Sequence, residues 1–136
     1  MYTAAQAIKQ AEAILAANPP PSEDQDLRWS AIIRVAEFAE TEPDALWLFA
    51  RRWGSSRDAD LRDAIASCLL EHLLEFHFSY LFPKVEAAAR EDPLFADTFL
   101  GCWEFGQTGE PANAARFHTL QRELAQAAGN RHKSRR

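Results

Sequence analysis

Glycine is scarce in this chain, with 5 in 136 residues, and the 7 prolines fall between apolar runs instead of within them. That balance, with plentiful alanine, leucine and glutamate, favours helices over strands. There are only 2 cysteines, Cys68 and Cys102. Both sit in apolar helical patterns without C-x-x-C spacing, where free thiols behave as small hydrophobes, so neither a disulfide framework nor a zinc motif is expected. No stretch of 18 apolar residues occurs, and no charged start leads into an apolar run. A membrane span and a signal peptide are therefore not expected, and a cytoplasmic location is. Phosphate loops, G-x-S-x-G elbows and G-x-G-x-x-G turns are missing as well, which excludes the common nucleotide and hydrolase motifs and leaves no cofactor in view.

What the chain has is acid. The net charge is −5, and the four cations within residues 131–136 leave −9 on the first 130. Binding to nucleic acid draws on Lys and Arg to release counterions, so an acidic body disfavours it and suits a basic protein partner better. The basic end, 131–136, reads as a disordered tail on a single helical-repeat domain of residues 1–130.

Periodicity and caps divide that domain into about seven helices. Thr3 with Gln6 forms a capping box for the first, which runs to about Asn18 and stops at Pro19, Pro20 and Pro21. Ser22 with Gln25 opens the second, ending near Glu40. Pro43 starts the third, with Leu46, Phe49, Ala50 and Trp53 on its buried face and Gly54 closing it. The fourth, from about Arg57 to Tyr80, is apolar on most sides and reads as central. Leu61, Ile65, Cys68, Leu69, His72 and Phe76 form its main arc, widened by Leu70, Leu73 and Leu74. Pro83 is expected to start a short fifth helix, and Pro93 a sixth that carries Phe95, Phe99, Cys102 and Trp103. A turn over 106–111 precedes a seventh with Phe117, Leu120, Leu124 and Ala127, ending at Gly129 and Asn130.

Pro43, Phe49 and Trp53 return 50 residues later as Pro93, Phe99 and Trp103, together with Val35 and Val85, Ala39 and Ala89, Ala64 and Ala114, Leu70 and Leu120, and Leu74 and Leu124. Matches confined to helix starts and apolar faces are what shared packing retains. They pair helices two to four with five to seven. The expected fold is all-α, a right-handed superhelix of two HEAT- or armadillo-like three-helix units behind an N-terminal capping helix.

Two clusters could carry function. Glu71, His72, Glu75 and His77 crowd a turn and a half and raise a metal-binding or hydrolytic reading, yet His72 and His77 are five apart and point about 140° away from each other on a helix. No catalytic or metal ligand set is assigned to them. Asp60, Asp63, Ser67, Glu71 and Glu75 step by three and four along the fourth helix. In stacked repeats the last helix of a unit lines the concave face, so Asp60, Asp63, Glu71 and Glu75 are the expected partner-binding residues, with Trp47 as a candidate exposed anchor. Trp53 and Trp103 fall on core faces, and Trp29 packs against helix one.

At Pro43 and Trp47, the run from Leu69 to Leu74, the segment from Val85 to Phe95 and Trp103, the chain resembles small bacterial all-helical proteins of unassigned function, over roughly residues 40 to 105. More loosely it is similar to HEAT and armadillo domains, and in size and acidity to immunity proteins of bacterial toxin systems. The resemblance implies a fold and carries no catalytic residue. The expected function is a non-enzymatic protein-binding module, an immunity or adaptor protein, monomer or dimer, that meets a basic surface such as a toxin's through an acidic groove. A nucleic-acid-binding helical repeat is the remaining alternative.

Overall fold

The computed structural model describes residues 1–19 and 26–134, with side chains to 131. Pro20, Pro21 and the capping box expected at Ser22 and Gln25 lie outside them. The described residues are mostly helical and contain no strand. In order they are α1 (Ala4–Ala17), α2 (Leu27–Ala36), α3 (Pro43–Trp53), α4 (Ala59–Ile65), a π-helical turn (Ala66–Leu70), α5 (Glu71–Glu91), α6 (Pro93–Leu100), a 3-10 turn (Gly106–Gly109) and α7 (Pro111–Ser134).

The caps sit where local chemistry requires them. Thr3 Oγ1 accepts the Gln6 N–H at 3.2 Å while Gln6 Oε1 accepts the Thr3 N–H at 2.8 Å, satisfying two orphan donors of α1. Asn18 closes that helix in the left-handed region, at φ 48°. Asp26, Asp58 and Asp92 cap α2, α4 and α6, and Pro43 and Pro93 occupy the first turns of α3 and α6, where a missing N–H costs nothing.

One core serves the described residues, and α4, the π turn and α5 run through it one after another with a single break, at His77. The expected central helix is therefore present, from Ala59 to that break. Pro83 does not start a helix: it lies inside α5, and the break comes six residues earlier at His77 (φ −138°, ψ 43°). The break is held from outside. Gln107 Oε1 takes the Phe78 N–H at 2.9 Å, and His77 Nε2 donates to the carbonyls of Ala39 and Glu40 at 3.0 and 2.8 Å. Pro83 then falls in the second turn of a helix begun afresh at Phe78. Ser79, whose carbonyl Pro83 cannot meet, is exposed, where water can serve instead. The helix from Phe78 to Glu91 stands in the place of the expected fifth helix, begun five residues before Pro83.

The π turn explains a second departure. It inserts one residue and turns every later side chain by about 100° relative to an uninterrupted α-helix. Before it Leu61, Ala64 and Ile65 are buried; within it Ala66, Leu69 and Leu70 are, and after it Leu73, Leu74 and Phe78, while Cys68 and His72 are only half-buried and Phe76 is exposed. The expected arc therefore holds at Leu61, Ile65 and Leu69 and in its widening at Leu70, Leu73 and Leu74, and fails at Cys68, His72 and Phe76.

Phe78, Phe82, Phe99 and Phe117 form a continuous aromatic spine joining α5, α6 and α7, with centroid separations of 4.7, 6.4 and 5.0 Å. Such pairs add about 0.5–1.5 kcal/mol each beyond area burial. Near the other end, Phe95 packs edge-on against Trp47 at 5.7 Å. A Cβ on Gly54 would come within 2.6 Å of the Ala50 carbonyl and 3.1 Å of the Phe95 ring, so glycine lets α6 close on the end of α3. Thr98 fixes this approach by donating to the Gly54 carbonyl at 2.5 Å. Phe117, Leu120 and Leu124 bury one face of α7, which passes Gly129 and Asn130 and continues to Ser134 instead of ending there. Residues 135 and 136 of the basic segment lie outside the described residues.

Candidate functional site

The acidic row does not form a continuous stripe. Asp60 accepts from Arg28 Nη2 and Trp29 Nε1, both at 3.0 Å, and belongs to a network in which the buried Arg28 also reaches Asp58 at 2.8 Å and Asn18 at 3.1 Å. Asp63 is exposed. Beyond the π turn the rotation carries Glu71 inward, to 5 % exposure, and leaves Glu75 half-buried. Trp47 is half-buried against Phe95.

Glu71 organises what lies beside it. Its Oε1 accepts the Trp103 N–H at 2.9 Å, three residues beyond the end of α6. Burial pushes its carboxyl above the usual range, against the opposing pull of the Trp103 bond and His72. Burial also raises the Cys102 thiol well above its ordinary value, with the Glu71 charge adding to it, and Cys68 is raised for the same first reason. Cys102 is thus a buried thiol made a poor nucleophile, and half-buried Cys68 is less acidic than an open thiol.

Trp103 does not join the core. It is 74 % exposed, because α6 ends at Leu100 and residues 102–105 are not helical. Every position of that segment is tied down. Gln121 Nε2 donates to the Cys102 carbonyl at 3.3 Å, Glu104 Oε1 pairs with His118 Nε2 at 2.7 Å, and Phe105 stacks on His72 with ring centroids 6.4 Å apart. His72 Nδ1 in turn meets Glu75 Oε1 at 2.9 Å. Gly106, at φ +53°, lies so close to α5 that a Cβ would meet Glu75 Cγ at 2.5 Å. A cavity of about 330 Å³ opens beside the indole, floored by Leu100, Cys102 and Phe117 and rimmed by Glu104, His118 and Gln121.

The Glu71 to His77 cluster is not brought together. His72 and Glu75 pair, Glu71 turns to Trp103, and His77 spends Nε2 on backbone carbonyls at the corner after α2. Among the described residues no group of three or more His, Cys, Asp or Glu side chains is placed to hold a metal ion. Sequence reasoning missed Glu104, Phe105 and His118. The bracketing of Trp103, Glu104 and Phe105 by Gly101 and Gly106 was the available signal, since glycines at both ends of a short span favour irregular backbone.

Residues 17–123 match a family of unknown function, DUF6869, and the chain belongs to that family. No curated protein and no solved structure matches it significantly. Among the described residues no helix is long and apolar enough to cross a membrane.

Proposed function

We propose that this is a non-enzymatic protein-binding module that meets its partner through the segment from Trp103 to Phe105. The observation that carries the proposal is a tryptophan 74 % exposed on a backbone fixed by a buried carboxylate. With its backbone fixed before binding, Trp103 gives up only side-chain freedom on contact, and tryptophan is among the residues most enriched at binding hot spots. Glu104 adjoins it in the chain, Glu75 lies against Gly106 three residues further on, and Asp63 adds charge on α4, which favours a basic partner surface. The charge of −9 on the first 130 residues favours fast association with such a surface. An immunity or adaptor role in the cytoplasm, with a basic toxin as partner, fits this chemistry. The same reading takes α3 and α6, each led by proline with a core phenylalanine six residues on, as remnants of a HEAT- or armadillo-like repeat.

The test is affinity capture from the source cell with the wild-type chain and Trp103→Ala, followed by calorimetry on any protein that the first retains and the second loses. A partner bound equally by both would move the interface elsewhere.

A further inference from the structure

We propose that the cavity beside Trp103 is a receptor for one arginine side chain of the partner. This rests on the protein-binding reading above and names the group that the site would recognise. The walls supply what a guanidinium needs. Trp103 offers an exposed indole face, the best of the aromatic platforms for a cation, and the planar guanidinium stacks on it where an ammonium cannot. Glu104 stands on the same rim. His118 occupies its Oε1 at 2.7 Å, and a carboxylate accepts at both oxygens, so Oε2 can take a charge-assisted bond from the incoming cation. Leu100, Phe117 and Cys102 give an apolar floor for the methylene stem, and Gln121 sets the far edge while its amide holds the Cys102 carbonyl.

Size and charge agree with that occupant. A volume of about 330 Å³ is small for a ligand cleft, which commonly spans about 300–1,000 Å³, and suits a single long side chain. The site is built in advance: Glu71 fixes the backbone at Trp103, Gln121 fixes it at Cys102, and His118 orients Glu104. No segment has to fold for the side chain to enter.

The experiment uses the isolated full-length protein and needs no identified partner. Short capped peptides, Gly-Arg-Gly, Gly-Lys-Gly and Gly-citrulline-Gly, are titrated while the indole ¹H–¹⁵N signals are followed; the Trp103 signal is assigned by its loss in Trp103→Phe. The arginine peptide is expected to shift that signal saturably, the lysine peptide more weakly, and the neutral citrulline peptide not at all. In Glu104→Gln the arginine peptide should bind about tenfold more weakly, the loss of one charge-assisted hydrogen bond. Both substitutions are at exposed positions, and unchanged circular dichroism verifies the fold. No shift with arginine, an equal response to citrulline or lysine, or full binding by Glu104→Gln would overturn the proposal. Because capture by Trp103→Ala reads the interface without the peptides, failure of the protein-binding reading and failure of the arginine site are told apart.

Discussion

α3 and α6 begin alike and end differently. Each opens on a proline preceded by an acid, and each buries a phenylalanine six residues later, Phe49 at 4 % and Phe99 at 0 % exposure. Ten residues after the proline each has a tryptophan. In α3 the helix reaches it, and Trp53 lies half-buried near Phe49 before Gly54 closes the turn. In α6 the helix stops at Leu100, and Glu71 claims the Trp103 N–H that a longer helix would have kept for itself. A shared sequence pattern therefore fixes the buried part of both helices, whereas the early end of α6 at Leu100, with the freed Trp103 N–H taken by a carboxylate from elsewhere, leaves the last residue projecting.

The largest effect should come from what the two helices share. Phe49→Ala and Phe99→Ala are each expected to cost about 3–5 kcal/mol in urea unfolding, as buried aromatic truncations do. Phe99 should be the costlier, since it sits between Phe82 and Phe117 in the spine. The tryptophans should then split the pair: Trp53→Ala is expected to lose about 1–3 kcal/mol, and Trp103→Ala to stay within about 0.5 kcal/mol while abolishing partner capture. Equal losses at both would mean that Trp103 packs after all.

The helix starts differ in a smaller way. Asp92 caps α6 by accepting the Leu94 N–H at 3.0 Å and takes Arg51 at 3.2 Å, while Glu42 makes no side-chain cap for α3. Asp92→Ala should cost about 1 kcal/mol and Glu42→Ala almost nothing. Burial would raise the Asp92 carboxyl, but Ser55, the Leu94 N–H and Arg51 together hold it below its ordinary 3.8. Its contribution is thus present above that value and lost as pH falls through the lower folded one, and the acid limb of unfolding should flatten in Asp92→Asn. Glu71 has the opposite sign. Its carboxyl is raised above 4.5, so the folded state binds the proton more readily, and its share of stability is full below 4.5 and lost as pH rises through the folded value. Glu71→Gln, which keeps an oxygen for the Trp103 N–H, should remove that decline.

Local features were legible. The Thr3 cap, the two helix-starting prolines, Gly54 and the apolar faces of α1, α3 and α7 follow from residues close in sequence. Features set by distant partners were not. Nothing near His77 announces a break, because its supports are Gln107, Ala39 and Glu40, 29 to 38 residues away from the donors and acceptors they meet. Pro83, the obvious breaker, is tolerated a few residues downstream. Of the candidate site, Glu71 and Glu75 were visible as acids on one helix, but the π turn redirected them, and Trp103 matched a core position in the pattern although its helix ends too early to deliver it there.

The π turn at Ala66–Leu70 amounts to one extra residue, and its consequence is genealogical. Winding all five residues as α-helix would turn Cys68, His72 and Phe76 inward and swing Glu71 out to solvent, leaving the Trp103 N–H unclaimed. Deleting one residue as well would cancel that rotation, so a relative with a one-residue gap in this span would keep Leu73, Leu74 and Glu71 on the faces they hold here. A single codon gained can thus be absorbed locally, with everything downstream left in register.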